Sequence, residues 1–438
     1  MFGLFALMAL SGTFAYAADE TDREIARTYT IFYLHQKDYS SAMETLQEHL
    51  LADPEDSEGW NFLGLLNLES KKPAVAAEAF KKAAALAKTN LRGLYLYNQA
   101  DALARAGDVK NAKVALQQAA TESVVQASAN DAIGKIRAGK PLPQVQINNP
   151  GTWKGSFAVQ GGYDSNVLLF PTSVQATSVG TGSASPYLVP ALQAGYRRDS
   201  GEKLLETNAV AAFTYMTKST AQAFDNLYSS ASVDWGDSPG LAKSVLTSFG
   251  DEAGLAYLNN NGFRFYDWSN TVRGRAIFWR TLSSQTELEL PVVYQKFAVD
   301  IGDDPANDRS GVGVGPTLTH RHFFGANLVS AGFQYQKFFA KGVNYRANTF
   351  TLPVTYFRRN LLWGLNGTAG TEGSLINYTE STFGRRDKFM KFSVGLSQHF
   401  SGSWAMALDY SYRKNFSNID AAQYDKHMVG LTVSYDLF

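Results

Sequence analysis

The last part of the chain alternates between apolar and polar residues with a period of two. From Trp404 onward, the large apolar positions are Trp404, Met406, Leu408, Tyr410 and Tyr412, and the small or polar positions are Ser403, Ala405, Ala407, Asp409, Ser411 and Arg413. The final stretch repeats the pattern with Val429, Leu431, Val433, Tyr435 and Leu437. Successive side chains of a β-strand point to opposite faces, so this pattern predicts strands with one apolar and one polar face.

The same alternation fills residues 152–438 and predicts an antiparallel barrel of about fourteen strands. The segments are roughly 153–167, 186–198, 204–218, 226–237, 243–258, 265–282, 285–299, 309–324, 327–340, 345–358, 362–378, 386–400, 403–416 and 425–438. Tight connections such as 199–201 alternate with longer ones such as 168–185. This is typical of a transmembrane barrel, which presents an apolar band to lipid, a polar lumen and short periplasmic turns. A soluble all-β domain is the alternative.

The end of the chain supports the membrane interpretation. An aromatic last residue, Phe438, resembles the end of bacterial outer-membrane barrels, although it is one step out of phase with the outward Tyr435 and Leu437. The resemblance implies the bacterial outer membrane as location, outer-membrane lipid as a contact, and recognition of the C-terminal strand by the barrel assembly machinery. With an even number of strands, the first strand would begin and the last strand would end on the same, periplasmic side of the membrane.

The first 151 residues differ in composition. Residues 1–17 are nearly all apolar or small and end in Ala15-Tyr16-Ala17, which predicts a signal peptide, with a short buried helix as the alternative. Residues 18–138 are rich in Ala, Leu, Glu and Lys and repeat with a period of about 34 residues. Residues 139–151 contain Pro141, Pro143 and Pro150 without an apolar pattern and predict a linker.

The repeat places large and small residues where a tetratricopeptide repeat packs its helices. The middle copy carries Trp60, Leu63, Gly64, Ala76, Phe80 and Ala83; the earlier copy carries Tyr29, Ala42, Leu46 and Pro54; the later copy carries Leu96, Ala100, Gly107, Ala112, Leu116 and Ala119. Three such repeats with a final helix are about the minimum for a stable stack. We therefore predict an α+β multidomain chain with an all-α periplasmic tetratricopeptide solenoid before the barrel; an unrelated helical bundle is the alternative.

Composition and motifs narrow the chemistry. The 40 basic and 40 acidic residues cancel, so no general attraction to nucleic acid is expected. The sequence has no Cys, no nucleophile elbow, no HExxH motif and no phosphate-binding glycine loop. We expect no enzymatic activity, no cofactor and no metal site.

Charged residues on the inward face of the predicted barrel are candidate lumen residues. Arg273 and Arg275 on the sixth strand could pair with Glu287 and Glu289 on the seventh, because charged groups in a barrel wall need partners or water. Lys391, Asp409 and Arg413 extend this set. The two interpretations are a ladder that braces the wall and a filter for a passing molecule. In the repeat domain, Tyr33, Asn67 and Asp101 lie on first helices of the pairs and are candidate groove residues, or simply solvated positions.

The first barrel strand ends in Gly161-Gly162-Tyr163-Asp164-Ser165-Asn166-Val167, just before the longest loop. Together with the repeat domain and the strand number, this run resembles the surface lipoprotein assembly modifier family. The resemblance implies an outer-membrane translocator that moves proteins, often lipid-anchored ones, to the cell surface, with the repeat domain docking the client or a partner. Tyr163, Asp164, Ser165 and Asn166 are then expected to form a functional motif near the outer rim. An exopolysaccharide-export porin and a passive or structural pore are the alternatives.

Overall fold

The computed structural model describes residues 39–87, 91–143, 151–167, 184–199, 203–237, 245–259, 263–281, 284–298, 305–324, 326–400 and 403–437. The predicted signal peptide 1–17, Tyr29, Tyr33 and Phe438 lie outside these ranges. The described helices are α1 (Tyr39–Ala52), α2 (Ser57–Glu69), α3 (Pro73–Leu86), α4 (Arg92–Arg105), α5 (Val109–Ala119) and α6 (Gln126–Lys135). None of them is long and apolar enough to cross a membrane.

The helices pack against one another in chain order and bury the small residues of the repeat. Ala76, Ala83, Ala100, Ala112 and Ala119 are all 0% exposed. Phe80, also buried, lies over Gly64, where an added Cβ would approach the phenyl ring to 2.5 Å. Close helix approach at Ala and Gly therefore builds this core, and the predicted helical N-terminal region is confirmed over the described residues.

Asp side chains define where two of the helices begin. The Asp56 carboxylate accepts a hydrogen bond from the Glu58 backbone N–H at the start of α2. At the start of α5, the Asp108 carboxylate accepts one from the backbone N–H of Asn111, at 3.1 Å. Both are N-caps, which satisfy donors that have no partner within the helix.

The first part of the predicted linker packs on α4. The Gly139 N–H donates to the Ala104 carbonyl at 2.8 Å, and the Leu142 N–H donates to Asp101 Oδ1 at 2.6 Å. The Tyr97 hydroxyl donates to the Pro143 carbonyl at 2.8 Å. Burial, followed by the negative charges of Asp101 and Asp131, raises the pKa of Tyr97 to about 12. Residues 139–143 therefore belong to the helical unit, and residues 144–150 lie outside the described part of the chain.

Fifteen strand segments follow in the described residues. They are β1 (Thr152–Asp164), β2 (Ser185–Asp199), β3 (Lys203–Met216), β4 (Asn226–Asp237), β5 (Val245–Asn259), β6 (Phe263–Thr281), β7 (Ser284–Phe297), β8 (Gly311–Val314), β9 (Thr317–Phe324), β10 (Asn327–Ala340), β11 (Ala347–Leu362), β12 (Leu365–Tyr378), β13 (Arg386–His399), β14 (Trp404–Ser417) and β15 (Tyr424–Asp436). β8 and β9 share one place between β7 and β10, interrupted at Gly315-Pro316. The barrel therefore has fourteen strands, as predicted.

The barrel closes because β1 pairs antiparallel with β15, from Ser156 opposite Asp436 to Asp164 opposite Met428. Its apolar set faces outward: Trp404, Met406, Leu408, Val429, Leu431 and Val433 are each between 38% and 50% exposed. Polar residues of β1 and β15, including Ser156, Gln160, Thr432 and Ser434, are buried on the other face. The alternation in the sequence thus becomes a lipid-facing surface and a polar interior.

The two ends of the barrel differ. Connections such as Asp199 to Lys203 and His399 to Trp404 are short and lie at the end where β1 begins and β15 ends. Loops at the other end carry the short 3-10 helices Ser219–Phe224, Pro305–Asn307, Val343–Tyr345 and Asp420–Ala422. The link from β5 to β6 is the short exception there. A closed barrel with an apolar outer face is the form in which strands cross a membrane, so the protein is a bacterial outer-membrane protein. Short turns are periplasmic in such barrels, so the chain enters β1 and leaves β15 on the periplasmic side.

Candidate functional site in the barrel lumen

The run Tyr163–Val167 leaves the end of β1 at the extracellular side and turns along β15. The Ser165 N–H donates to the His427 carbonyl at 2.9 Å, and the His427 N–H donates to Ser165 Oγ at 2.8 Å. The Asn166 side-chain amide donates to the Asp425 carbonyl at 2.9 Å. These bonds extend the pairing of β1 with β15 beyond Asp164 and hold the turn at the outer end of the wall.

The members of this run do not share one environment. Tyr163 points outward and is 47% exposed, whereas Asp164 and Asn166 are 0% and 1% exposed. The Asn166 N–H donates to Asp164 Oδ1 at 3.0 Å. Val167 is fully buried in a cluster with Tyr187, Val189, Ala212, Met216, Ala221 and Met428. The predicted rim motif therefore turns inward and fills part of the outer lumen, with Tyr163 apart from the other residues.

Asp164 forms an ion pair with Lys426 at 2.6 Å, and both side chains are 1% exposed. Lys426 lies two residues before Met428, the direct partner of Asp164 in the register, so both groups share the inward face. Lys426 was not among the predicted lumen residues, although it lies in phase with Thr432 and Ser434, which indicates an inward position.

A row of inward charges continues from this pair across the wall. Lys426 on β15 lies directly opposite Arg413 on β14, and Arg413 lies directly opposite Lys391 on β13. Lys391 in turn faces Glu372 on β12. Arg413 is 3% exposed, and its Nε and Nη1 have no hydrogen-bond partner in the described part of the chain.

Asp409 lies nearer the middle of the same wall. The Gln160 side-chain amide donates to Asp409 Oδ1 at 3.2 Å across β15. Gly430 lies between them, and a Cβ there would approach the Gln160 nitrogen to 2.6 Å. The missing side chain at Gly430 allows this bond, which links β1 to β14.

The opposite wall carries arginines that are bonded to carboxylates. Arg275 lies 3.0 Å from Glu287 and 3.4 Å from Glu289, across the β6–β7 hairpin. Glu287 also receives Arg321 of β9 at 2.7 Å. These contacts form a ladder of alternating charge over three strands.

Arg273 turns away from Glu287 and Glu289. Its guanidinium lies 2.8 Å from Asp234 of β4 and 3.2 Å from Glu252 of β5. It reaches Asp234 over Gly250, where a Cβ would lie 2.2 Å from Asp234 Oδ1. Ion pairs within the β6–β7 hairpin could be predicted from the sequence. The pairing of Arg273 with Asp234, two strands away, depends on the register of β4, β5 and β6 in the barrel.

The two described candidates in the helical groove are engaged by their own chain. Asn67 is 3% exposed, and its side-chain amide donates to the Leu63 carbonyl at 2.8 Å. Asp101 accepts from Leu142, as described above, and from Arg105 Nε at 2.8 Å. The Asn98 amide donates to Asn61 Oδ1 at 3.0 Å and links α4 to α2, a contact that the sequence did not indicate.

Aromatic residues also face the lumen at its outer end. Tyr187, Tyr228, Tyr378 and Tyr424 fall in inward register near the outer ends of their strands. Tyr266 is buried against Phe297 and accepts a hydrogen bond from Arg309 at 3.1 Å. Among the described residues, no group of His, Cys, Asp or Glu has the arrangement of a metal site.

Comparisons with known proteins give only a likeness in fold. No protein-family model and no curated protein matches the sequence. Among solved structures, the outer-membrane channel DcaP of Acinetobacter baumannii is 10% identical over 66% of this chain and 97% of that chain, with a TM-score of 0.39. CdiB from Acinetobacter baumannii is 10% identical over 66% of this chain and 61% of that chain, with a TM-score of 0.37. An anion-selective porin from Comamonas acidovorans is 12% identical over 66% and 99%, with a TM-score of 0.36. At TM-scores this low, the likeness says nothing about what this chain transports.

Proposed function

We propose that this outer-membrane barrel is a translocator that exports proteins or displays them at the cell surface, lipid-anchored proteins among them. The observation that carries the proposal is the order of the chain: a stack of paired helices precedes β1, and β1 begins at the periplasmic end of the barrel. A client held by the helices would therefore be released beside the barrel opening.

We infer that the helices are tetratricopeptide repeats. The repeat period, the fully buried alanines and the contact of Phe80 with Gly64 support this assignment. The bond between Asn61 and Asn98 joins α2 to α4, which would be first helices of successive repeats. Stacked repeats of this kind form extended surfaces that bind partners.

The resemblance to the surface lipoprotein assembly modifiers rests on the order of the domains, the strand number and, at the level of residues, the run Tyr163–Val167. In this chain, Asp164 and Asn166 of the run hold an inward turn through Lys426 and the Asp425 carbonyl. We propose that this turn narrows the outer exit and is displaced when cargo passes. Binding and displacement make up the whole mechanism, so no catalytic residue or cofactor is assigned. The C-terminal strand β15 would be the element that the barrel assembly machinery recognises, and outer-membrane lipid would surround the outward face.

The test compares surface proteins of intact cells with and without the gene, by surface-restricted biotinylation and mass spectrometry. The deletion strain is complemented with the full chain or with a chain that lacks residues 18–138 but keeps residues 1–17. We expect one or a few proteins to disappear from the surface and accumulate in the periplasm. The full chain should restore them, whereas the barrel alone should reach the outer membrane without restoring them. An unchanged surface proteome would exclude protein export.

Polysaccharide export is the second candidate, and the inward tyrosines near the outer end are the feature that favours it. Aromatic rings can contact the apolar faces of a passing sugar chain while their hydroxyls reach its polar groups. The same strains distinguish the two functions. Loss of extracellular polysaccharide with an unchanged surface proteome would favour the sugar path, and no change in either would leave a passive or structural pore.

A further inference from the structure

Three cations lie side by side on the inward face of the barrel, at neighbouring positions of three adjacent strands. Lys391, Arg413 and Lys426 are consecutive partners in the registers of β13, β14 and β15. Like charges directly opposite each other in a sheet repel and destabilise it. A row that breaks this rule inside a buried wall calls for a compensating negative charge, and local exceptions of this kind are expected at functional sites.

The acids near the row neutralise only part of it. Asp164 pairs with Lys426 at one end, and Glu372 lies opposite Lys391 at the other. These five groups carry three positive and two negative charges. The central residue is Arg413, whose Nε and Nη1 donors have no partner among the described residues although its side chain is 3% exposed. The excess positive charge is therefore centred on Arg413.

A second donor faces the same place. Tyr424 precedes Lys426 by two residues on the inward face and lies opposite Asn415, two residues beyond Arg413. Its hydroxyl is buried and has no hydrogen-bond partner in the described part of the chain. The opposite wall differs, because Arg273, Arg275 and Arg321 each lie within ion-pair distance of a carboxylate.

We propose that Lys391, Arg413 and Lys426, with the Tyr424 hydroxyl, form a binding site for an oxyanion, that is, a carboxylate or phosphate group of a solute in the lumen. A guanidinium fork binds such groups through two parallel hydrogen bonds, and the flanking ammonium groups add charge. The Asp164 carboxylate occupies the Lys426 end of the row in this structure and is the internal counterpart of the ligand. An incoming oxyanion competes with Asp164, and its binding releases the inward turn that Asp164 anchors.

This competition predicts effects of opposite sign. Asp164→Asn removes the internal competitor and should strengthen binding of an external oxyanion. Arg413→Gln removes the central donor and should weaken binding by about tenfold or more, as expected for loss of a charged hydrogen bond. A purely structural row would give two destabilised variants without opposite changes in their response to anions.

The experiment uses the purified full-length protein in detergent micelles, with inorganic phosphate as the probe. Phosphate replaces chloride at constant ionic strength, so that general screening stays the same. The thermal midpoint is measured as a function of phosphate concentration, because a ligand that binds the folded state raises it. We expect the half-saturating phosphate concentration to be lower for Asp164→Asn than for the wild type, and higher for Arg413→Gln.

Two further variants make the result decisive. Arg275→Gln removes a lumen arginine that is already paired, and it should keep the wild-type response to phosphate. Tyr424→Phe removes one neutral donor and should raise the half-saturating concentration by about threefold; it also provides the test if Arg413→Gln does not fold. The proposal is overturned if Arg413→Gln and Tyr424→Phe respond like the wild type, or if Asp164→Asn weakens the response. No cargo is present, so the outcome is independent of the translocator proposal.

Discussion

The buried ion pair between Asp164 and Lys426 is the sharpest point at which to test the structure. Both side chains are 1% exposed, and the two charged atoms are 2.6 Å apart. Replacing one partner leaves the other charge buried without its counter-ion, which typically costs about 3–5 kcal/mol of unfolding free energy. Asp164→Asn and Lys426→Met should each fall in this range.

The surroundings predict which variant suffers more. In Lys426→Met, the Asp164 carboxylate keeps the hydrogen bond from the Asn166 N–H. In Asp164→Asn, Lys426 is left directly opposite Arg413, so repulsion between cations adds to the loss of the partner. We therefore expect the larger loss for Asp164→Asn. The loss of unfolding free energy in the double variant should be smaller than the sum of the two single losses, by about 2 kcal/mol or more. The losses do not add because the two groups are in contact.

The assay is reversible urea unfolding of the refolded protein in detergent micelles, followed by tryptophan fluorescence. Glu380→Gln is the matched control. It breaks the ion pair with Arg346 in an extracellular loop, where the two side chains are 51% and 36% exposed. An exposed pair contributes about 0–1 kcal/mol. If Asp164→Asn costs no more than Glu380→Gln, or if the single effects simply add, the buried pair does not stabilise the wall as argued.

Three further predictions concern packing, pH and orientation. Gly64→Ala should destabilise the helical unit by about 1–3 kcal/mol despite the better helix propensity of Ala, because the new methyl group would collide with buried Phe80; limited proteolysis against the solvent-facing control Val75→Ala measures it. The hydrogen bonds from Asn111 lower the pKa of Asp108. The stability that the Asp108 N-cap gives to α5 should therefore be present above the unfolded-state pKa and be lost as the pH falls through the folded-state pKa. Helical circular dichroism of Asp108→Asn should not change over this pH range. Leu352→Arg, on the lipid face at 59% exposure, should cost about 2–4 kcal/mol if it lies near the bilayer centre; a cost near zero in urea unfolding from lipid vesicles would place this residue outside the apolar band.

Most of the fold could be predicted from the sequence, because it follows from two local patterns. These are the two-residue alternation of the strands and the repeat of about 34 residues in the helical region. Alternation of large and small or polar residues gave fourteen strands, with ends within a few residues of those observed, such as 327–340 and 226–237. The interruption at Gly315-Pro316 was not expected, since the surrounding residues alternate through it. The spacing of Gly64, Ala76 and Ala83 likewise marked residues that become buried helix contacts.

The candidate site was only partly accessible to the same reasoning. The pairing of Arg275 with Glu287 and Glu289 could be predicted, because the tight turn of a hairpin sets the register of its two strands. Lys391, Asp409 and Arg413 were predicted as candidate lumen charges, but Glu372, which lies opposite Lys391, and Gln160, which donates to Asp409, were not predicted. The partner of Arg273 was not predicted, because the Arg273 side chain crosses β5 at Gly250 to reach Asp234 on β4.

What the sequence by itself determined is therefore each element and its inward face, because alternation and helical spacing depend only on neighbours in the chain. The tertiary structure alone decided which inward charges meet. Closure of the barrel brings β1 beside β15, and this joins Asp164 to Lys426 across more than half of the chain. Strand register then aligns Lys426, Arg413 and Lys391 in one row, and register between distant strands is set by the packing of the whole wall.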